Sequence, residues 1–432
     1  MNVADADWLA QALIAQGWSR GTEKTADVLV VMTCSVREKP EQKVYSLLGR
    51  IKDVVQRRPG VFVAVGGCVA QQIGEALWQR FPFVRLVFGT DGVAMVPQAL
   101  ARLHEEPELR ISLLDFLEYY PERAQVPGGY RAQAFVNIMQ GCDNFCAYCI
   151  VPHTRGRQKS RAAAAVVAEC ADLVRQGVRE ITLLGQNVNS YGQDQHGDGT
   201  SFTDLLTQVA ALPGLIRLQF TTSHPKDIAP ELIAAFDALP ALSPRLHLPV
   251  QSGSDAVLQA MGRKYTRSHY MDIIAGLRER CPHIALTSDI IVGFPGETDA
   301  DFAATLSLLH EVRFVSSFSF KYSDRPGVRA EHMPFKVPEE KKAERLRIFQ
   351  DAQNSITVAE LACLVGSEAE VLVEGQSKVQ EQGTVFWTGR DAGGRIVNFS
   401  AALDDLTGRM VPVRITAAKK HSLVAEMRGA PW

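Results

Sequence analysis

Two short apolar runs, ADVLVVMTCSV (26–36) and VFVAVGGCV (61–69), flank KPEQKVYSLLGRIKDVVQR, whose apolar residues recur at helical spacing. Continuous β-rich apolar runs, as opposed to alternating ones, are the kind buried on both faces of a parallel sheet. Each run carries a cysteine at its end, Cys34 or Cys68. Ligands of open α/β sheets bind at the carboxyl ends of the strands, so the two thiols are expected on one edge of a small α/β domain. PERAQVPGGY (121–130), with its Pro and Gly, marks the first boundary.

From 135 to 323 the pattern repeats. FVNIMQ, EITLLGQN, LIRLQFTTS, RLHLPVQS, ALTSDIIVGF and SSFSFKYS read as strands, with helical stretches such as AAAAVVAECADLVRQG and DADFAATLSLLHEV between them. Repeated βα units imply a parallel sheet, open or closed as a partial barrel. Barrel chemistry sits at the carboxyl ends of the strands. There the chain is polar and Gly-rich: GQNVNSYGQDQHGDG, SHP, QSGS and GFPGE. A charged helix over 338–361 leads out. Then AEVLVEG, GTVFWTG, RIVNFS and PVRITAA, parted by turn residues, predict a small antiparallel β-barrel. The expected domains are 1–127, 128–365 and 366–428.

Composition narrows the function classes. A net charge of -2 over 432 residues excludes strong non-specific attraction of the whole molecule to nucleic acid or anionic membranes. No apolar run approaches the roughly 18 residues of a membrane span. MNVADADWLAQAL lacks the basic region and cleavage site of a signal peptide. Eight cysteines are too sparse for a disulfide scaffold, and their crowding at one place favours metal binding in a reducing cytosol.

That place is GCDNFCAYC, with Cys142-x3-Cys146-x2-Cys149 directly after a predicted strand. Three soft thiolates on one loop suit iron–sulfur, and a four-iron cluster held by three would leave one iron for a non-protein ligand. Zinc is the metal alternative, although structural zinc takes four closed ligands. Three merely buried cysteines fit poorly with so polar a loop.

The spacing resembles the radical S-adenosylmethionine (SAM) superfamily, in which the open iron binds the amino and carboxylate groups of SAM and an aromatic residue, here Tyr148, precedes the last cysteine. MNVADADWLA, TCSVREKPEQKVYSLLGR, GGCVAQ, GCDNFCAYCIVPHTRGRQKSR, LLGQNVNSYG, HLPVQSGS and DIIVGFPGET together resemble the methylthiotransferases over nearly the whole chain, and TCSVRE to LGR resembles those acting on N6-dimethylallyladenosine in tRNA. The resemblance implies an N-terminal α/β methylthiotransferase domain, a partial (β/α)6 radical SAM barrel and a C-terminal TRAM barrel. It implies two 4Fe-4S clusters, one SAM-binding on Cys142, Cys146 and Cys149, and one auxiliary with Cys34 and Cys68 among its ligands. Gln251 and Ser252 after the fourth barrel strand, and Gly293 and Gly296 after the fifth, fall where the family binds SAM. The implied reaction is hydrogen abstraction by a 5′-deoxyadenosyl radical from carbon 2 of the modified adenosine beside the anticodon, followed by delivery of a methylated sulfur. The partners implied are tRNA and an electron donor such as flavodoxin or ferredoxin, with no membrane, for a monomer in the cytoplasm.

One departure stands out. The family's first auxiliary ligand lies in a Gly-Cys-x-Met-Asn context, and this chain begins at Met1-Asn2, where that motif ends. The expectation is that the true start lies upstream; the alternative is a chain that cannot complete the auxiliary cluster.

Other residues carry weaker signals. VPHTRGRQKSR (151–161) has four cations and no acid; Arg155, Arg157 and Lys159 are expected to meet RNA phosphates, against the plainer reading of a solvated face. GFPGE taken by itself is a tight turn. Cys170, Cys281 and Cys363 read as packing residues, and His224 as a turn residue without a role. The C-terminal barrel balances eight Lys or Arg against eight acids, so its RNA binding rests on the resemblance and on Lys419-Lys420, a structural cap being the alternative. Two further functions remain in view: another acceptor, either threonylcarbamoyladenosine in tRNA or a ribosomal-protein aspartate, and a non-catalytic RNA-binding relative.

Overall fold

The computed structural model describes residues 1–35, 40–123, 132–195, 197–377, 385–402 and 405–432. The first boundary expected from sequence, 127/128, lies outside them.

The N-terminal unit opens with α1 (Asn2–Ala15) and carries a four-stranded parallel sheet in sequence order. Its strands are β1 (Val28–Thr33), β2 (Phe62–Gly67), β3 (Val84–Phe88) and β4 (Ile111–Leu113), all joined in parallel. The sequence reading found the first two and missed the others. Helices α2 (Pro40–Arg57), α3 (Cys68–Ile73), α4 (Ala76–Arg80) and α5 (Val96–Glu105) make the crossovers. β2 is buried along its whole length, as an unbroken apolar run between two helical layers requires.

The central unit contains β5 (Gln133–Asn137), the short antiparallel ribbon of β6 (Met139–Gln140) with β7 (Lys159–Ser160), β8 (Glu180–Leu184), β9 (Arg217–Thr221), β10 (Arg245–His247), β11 (Ala285–Val292) and β12 (Ser316–Lys321). The six main strands coincide with the six apolar runs. They pair in parallel as two trios, β5-β8-β9 and β10-β11-β12, linked by a bridge between Leu218 and Leu242. Helices α6 (Val151–Arg155), α7 (Ala163–Arg175), α8 (Phe202–Ala210), α9 (Pro230–Ala238), α10 (Asp255–Met261), α11 (Arg267–Arg280) and α12 (Asp299–Val312) complete the βα repeats. One continuous apolar core joins strands and helices. α12 starts on a reciprocal capping box between Thr298 and Asp301.

α13 (Glu339–Ala362) leads to a closed barrel of β13 (Glu368–Gln376), β14 (Phe386–Arg390), β15 (Ile396–Ser400), β16 (Met410–Ala418) and β17 (Leu423–Met427). β17 was missed from sequence. The order β13-β14-β15-β17-β16 is antiparallel at every seam except β15–β17. A ring with an odd number of strands cannot alternate direction throughout, so one parallel pair is a geometric necessity. Among the described residues no helix is long and apolar enough to cross a membrane.

Candidate active site

The cysteine loop begins one residue after β6 and returns through β7, so a two-rung ribbon closes its base. Gly141, φ +78°, makes the first turn; a Cβ there would stand 2.0 Å from the Arg157 carbonyl oxygen. Cys142 follows, its amide donating to the Gly156 carbonyl. The Cys149 amide donates to the Cys146 carbonyl at 3.0 Å, closing a turn between the last two cysteines. Ala147 ties the loop outward, its amide donating to Met261 and its carbonyl accepting from Ala330.

Burial, then the neighbouring Cys146, pushes the Cys149 thiol up to about 12, and burial also raises Cys142. Thiols in that state are poor ligands unless a cationic centre repays their deprotonation, as metal binding does. Two donors already face sulfur: Asn144 Nδ2 lies 3.6 Å from Cys142 Sγ, and Arg263 Nη1 lies 3.5 Å from Cys146 Sγ. Such bonds tune iron–sulfur clusters. By donor type the three thiols fit the cluster, but their side chains are not gathered into a metal-holding arrangement: among the described residues, no three His, Cys, Asp or Glu side chains are so placed that they could hold a metal ion. Arg263 had no sequence signal. It is buried, its fork also bonds Tyr265 Oη and the Pro249 carbonyl, and no carboxylate pairs with it among the described residues. Tyr148 is partly covered, and burial drives its hydroxyl well above the usual value.

The other two cysteines each follow a strand of the N-terminal sheet. β1 and β2 are in register with Thr33 beside Gly67, so Cys34 and Cys68 leave adjacent strand ends side by side. The Thr33 hydroxyl accepts the amides of Val69 and Ala70 and donates to the Gly66 carbonyl, anchoring the start of α3. Gly67 permits the approach: at φ +94°, a Cβ would lie 2.3 Å from the Thr33 oxygen. Cys68 is buried and Cys34 exposed.

Two of the three cations expected at phosphates are buried instead. Lys159 Nζ bonds the Asp91 carboxylate and the Leu117 carbonyl, with side-chain exposures of 2% for Lys159 and 1% for Asp91. Arg155 donates to Asn2 Oδ1 at 2.8 Å and lies within hydrogen-bonding reach of the Cys68 side chain. Neither presents a surface to a phosphate; they join the N-terminal unit to the base of the cysteine loop. Arg157 alone is exposed, paired with Asp143 at 2.8 Å.

Gln251 adopts φ +72° and bridges to Ile290 on β11. Ser252 is fully buried, its hydroxyl engaged with Thr305 and the Ser254 amide, which makes it part of the frame and not of an open SAM surface. Gly293 and Gly296 both have positive φ, and the Gly293 amide donates to Glu297, the tight turn expected of GFPGE. His224 is buried, its Nδ1 accepting the Lys226 amide; burial and the nearby Arg263 lower it to about 2, so its ring is neutral. Cys170 is buried and Cys281 partly so, but Cys363 is exposed, against the packing role expected for it.

The chain matches the family models described as the radical SAM superfamily over residues 136–309, the uncharacterized protein family UPF0004 over 1–89, and the TRAM domain over 363–427. Among solved structures it is similar to the radical SAM methyltransferase TsrM of Kitasatospora setae, with a TM-score of 0.53 and 16% identity over 75% of this chain and 68% of that one. That likeness concerns the fold alone. Proteins named tRNA-2-methylthio-N(6)-dimethylallyladenosine synthase align over nearly the whole of this chain and of their own. The one from Nitratidesulfovibrio vulgaris is 59% identical over 100% of this chain and 97% of its own. That from Lawsonia intracellularis is 48% identical over 99% and 96%. With such identity across all three parts, the chain belongs to the family of tRNA-2-methylthio-N(6)-dimethylallyladenosine synthases, within the radical SAM superfamily.

Proposed function

We propose that this chain transfers a methylthio group to carbon 2 of N6-dimethylallyladenosine beside the tRNA anticodon. The observation that carries the reading is the placement of two thiol groups across one packed boundary. Cys142, Cys146 and Cys149 lie on a loop whose α6 packs against α3, the helix that begins at Cys68. When bound, the SAM-carrying cluster supplies a hydrogen-abstracting radical and the auxiliary cluster supplies the sulfur.

The chain's own residues hold and orient. Cys142, Cys146 and Cys149 would ligate the first cluster, with Asn144 and Arg263 donating to their sulfurs. Cys34 and Cys68 would ligate the second, with Arg155 as a buried cation beside Cys68. Tyr148, Gln251, Gly293 and Gly296 would border SAM. Carbon 2 of a stacked adenine is poorly accessible, so the anticodon loop must open against the protein, as RNA readers of unpaired loops require. The reading includes a low-potential donor such as flavodoxin or ferredoxin, a monomeric chain and a cytoplasmic location.

Anaerobic reconstitution with iron and sulfide tests this reading. About eight irons per chain are expected for two four-iron clusters, along with the 2-methylthio nucleoside in digests of tRNA bearing dimethylallyladenosine. Cys142→Ala, Cys146→Ala and Cys149→Ala should each abolish 5′-deoxyadenosine formation, and wild-type formation in any of them would overturn the assignment.

A further inference from the structure

Phe145 lies between two of the loop cysteines, yet the residue is 49% exposed. Its φ is +46°. For a bulky side chain this region is a true outlier, and such strain persists only where the surrounding structure imposes it. Burial does not offset the strain, because about half of the residue is exposed. The outcome is a half-exposed aromatic residue on the cysteine loop itself.

That face has a companion. The Arg157 guanidinium stands 5.2 Å from the ring centroid, and Asp143 holds it there through an ion pair of 2.8 Å. The Arg157 side chain is 74% exposed. Asp143 offsets its charge, so the pair presents planar surface more than net positive charge. The guanidinium thus lies over one face of the ring, and aromatic rings and planar guanidiniums are the groups on which unstacked RNA bases stack.

We propose that Phe145 and Arg157 form a stacking platform for an unpaired base of the RNA anticodon loop, holding that loop open at the cysteine site. The proposal rests on the tRNA reading above and replaces the phosphate contact expected of Arg157 with a stacking one. The two roles differ measurably: stacking adds affinity without releasing counterions, whereas a phosphate contact steepens the salt dependence.

The test uses the full-length protein carrying Phe145→Leu or Phe145→Trp, with an anticodon stem-loop containing dimethylallyladenosine as the probe. Affinity is read by fluorescence anisotropy at several salt concentrations, on cluster-loaded and cluster-free protein in parallel. F145L should weaken binding about tenfold, equivalent to about 1.4 kcal/mol and within the range for one base–aromatic stack. Its slope of log affinity against log salt should equal that of the wild type, and F145W should bind like the wild type. Three results would overturn the platform: F145L binding normally, both variants losing affinity alike, or a loss that follows iron content and not the ring. A wild-type protein that does not bind the stem-loop would instead overturn the tRNA reading, and the platform with it.

Discussion

Lys159→Met tests how the cysteine loop is held. Lys159 sits on β7 and its ammonium meets the Asp91 carboxylate from the N-terminal unit, both side chains being almost wholly buried. Asp91 also accepts the Leu117 amide at 2.8 Å and the Gln140 side chain from β6, so one carboxylate clamps both strands of the ribbon. Methionine fills the aliphatic volume and leaves that carboxylate buried without a cation. Removing one partner of a buried pair costs about 3–5 kcal/mol. The two amide donors left to Asp91 place the expected loss near the lower end, about 3 kcal/mol. At about 2–4 °C per kcal/mol for a domain of 150–250 residues, melting should fall by about 6–12 °C. Replacing Asp91 by Asn in the same protein removes the stranded charge, and the double variant should recover most of the loss. Differential scanning fluorimetry on the single and double variants gives the coupling. A normal melting temperature for K159M, with a tRNA-binding salt slope reduced by about one, would refute the clamp and restore Lys159 to the phosphate-contacting set.

Two further outcomes follow from local geometry. Gly67→Ala should destabilise the N-terminal unit by more than about 1 kcal/mol, since alanine there is incompatible with both the positive φ and the Thr33 oxygen; an unchanged urea midpoint would contradict the close approach of β1 and β2. The pH dependence concerns Asp301. Burial would raise its carboxyl, but bonds from the Ser254 hydroxyl and from Thr298 outweigh that and hold it below the ordinary 3.8. The folded state thus binds this proton less readily than the unfolded state. The contribution is complete above 3.8 and is lost as pH falls through the lower folded value. Ser254→Ala should flatten that part of the acid limb in urea titrations, and a curve parallel to the wild type would show the bond to be idle.

Much of this was legible before any coordinates. The six barrel strands, α12 and α13 lie where the apolar periodicity places them, because period and burial are properties of consecutive residues. The cysteine triad was legible for the same reason: its spacing confines three thiols to one loop. Cys34 and Cys68 could be assigned to one sheet edge in advance because parallel strands of similar length end there, and Thr33 is in register with Gly67. The three-residue β4 escaped because so few apolar residues carry too little pattern to separate a strand from a loop.

The cations show what local sequence leaves open. Arg155, Arg157 and Lys159 alternate along a single basic loop, and nothing within that loop distinguishes them. Asp91, 68 positions from Lys159, buries one; Asn2 and Cys68 surround another; only Arg157 remains at the surface. Arg263 reaches Cys146 across 117 positions, and no spacing rule links them. Periodicity and spacing record what a chain does with its own neighbours, so sequence determined the elements, their order and the thiol loop. Whether a charge faces water, a carboxylate or a sulfur depends on which distant segment packs over it, and only the tertiary structure decided that.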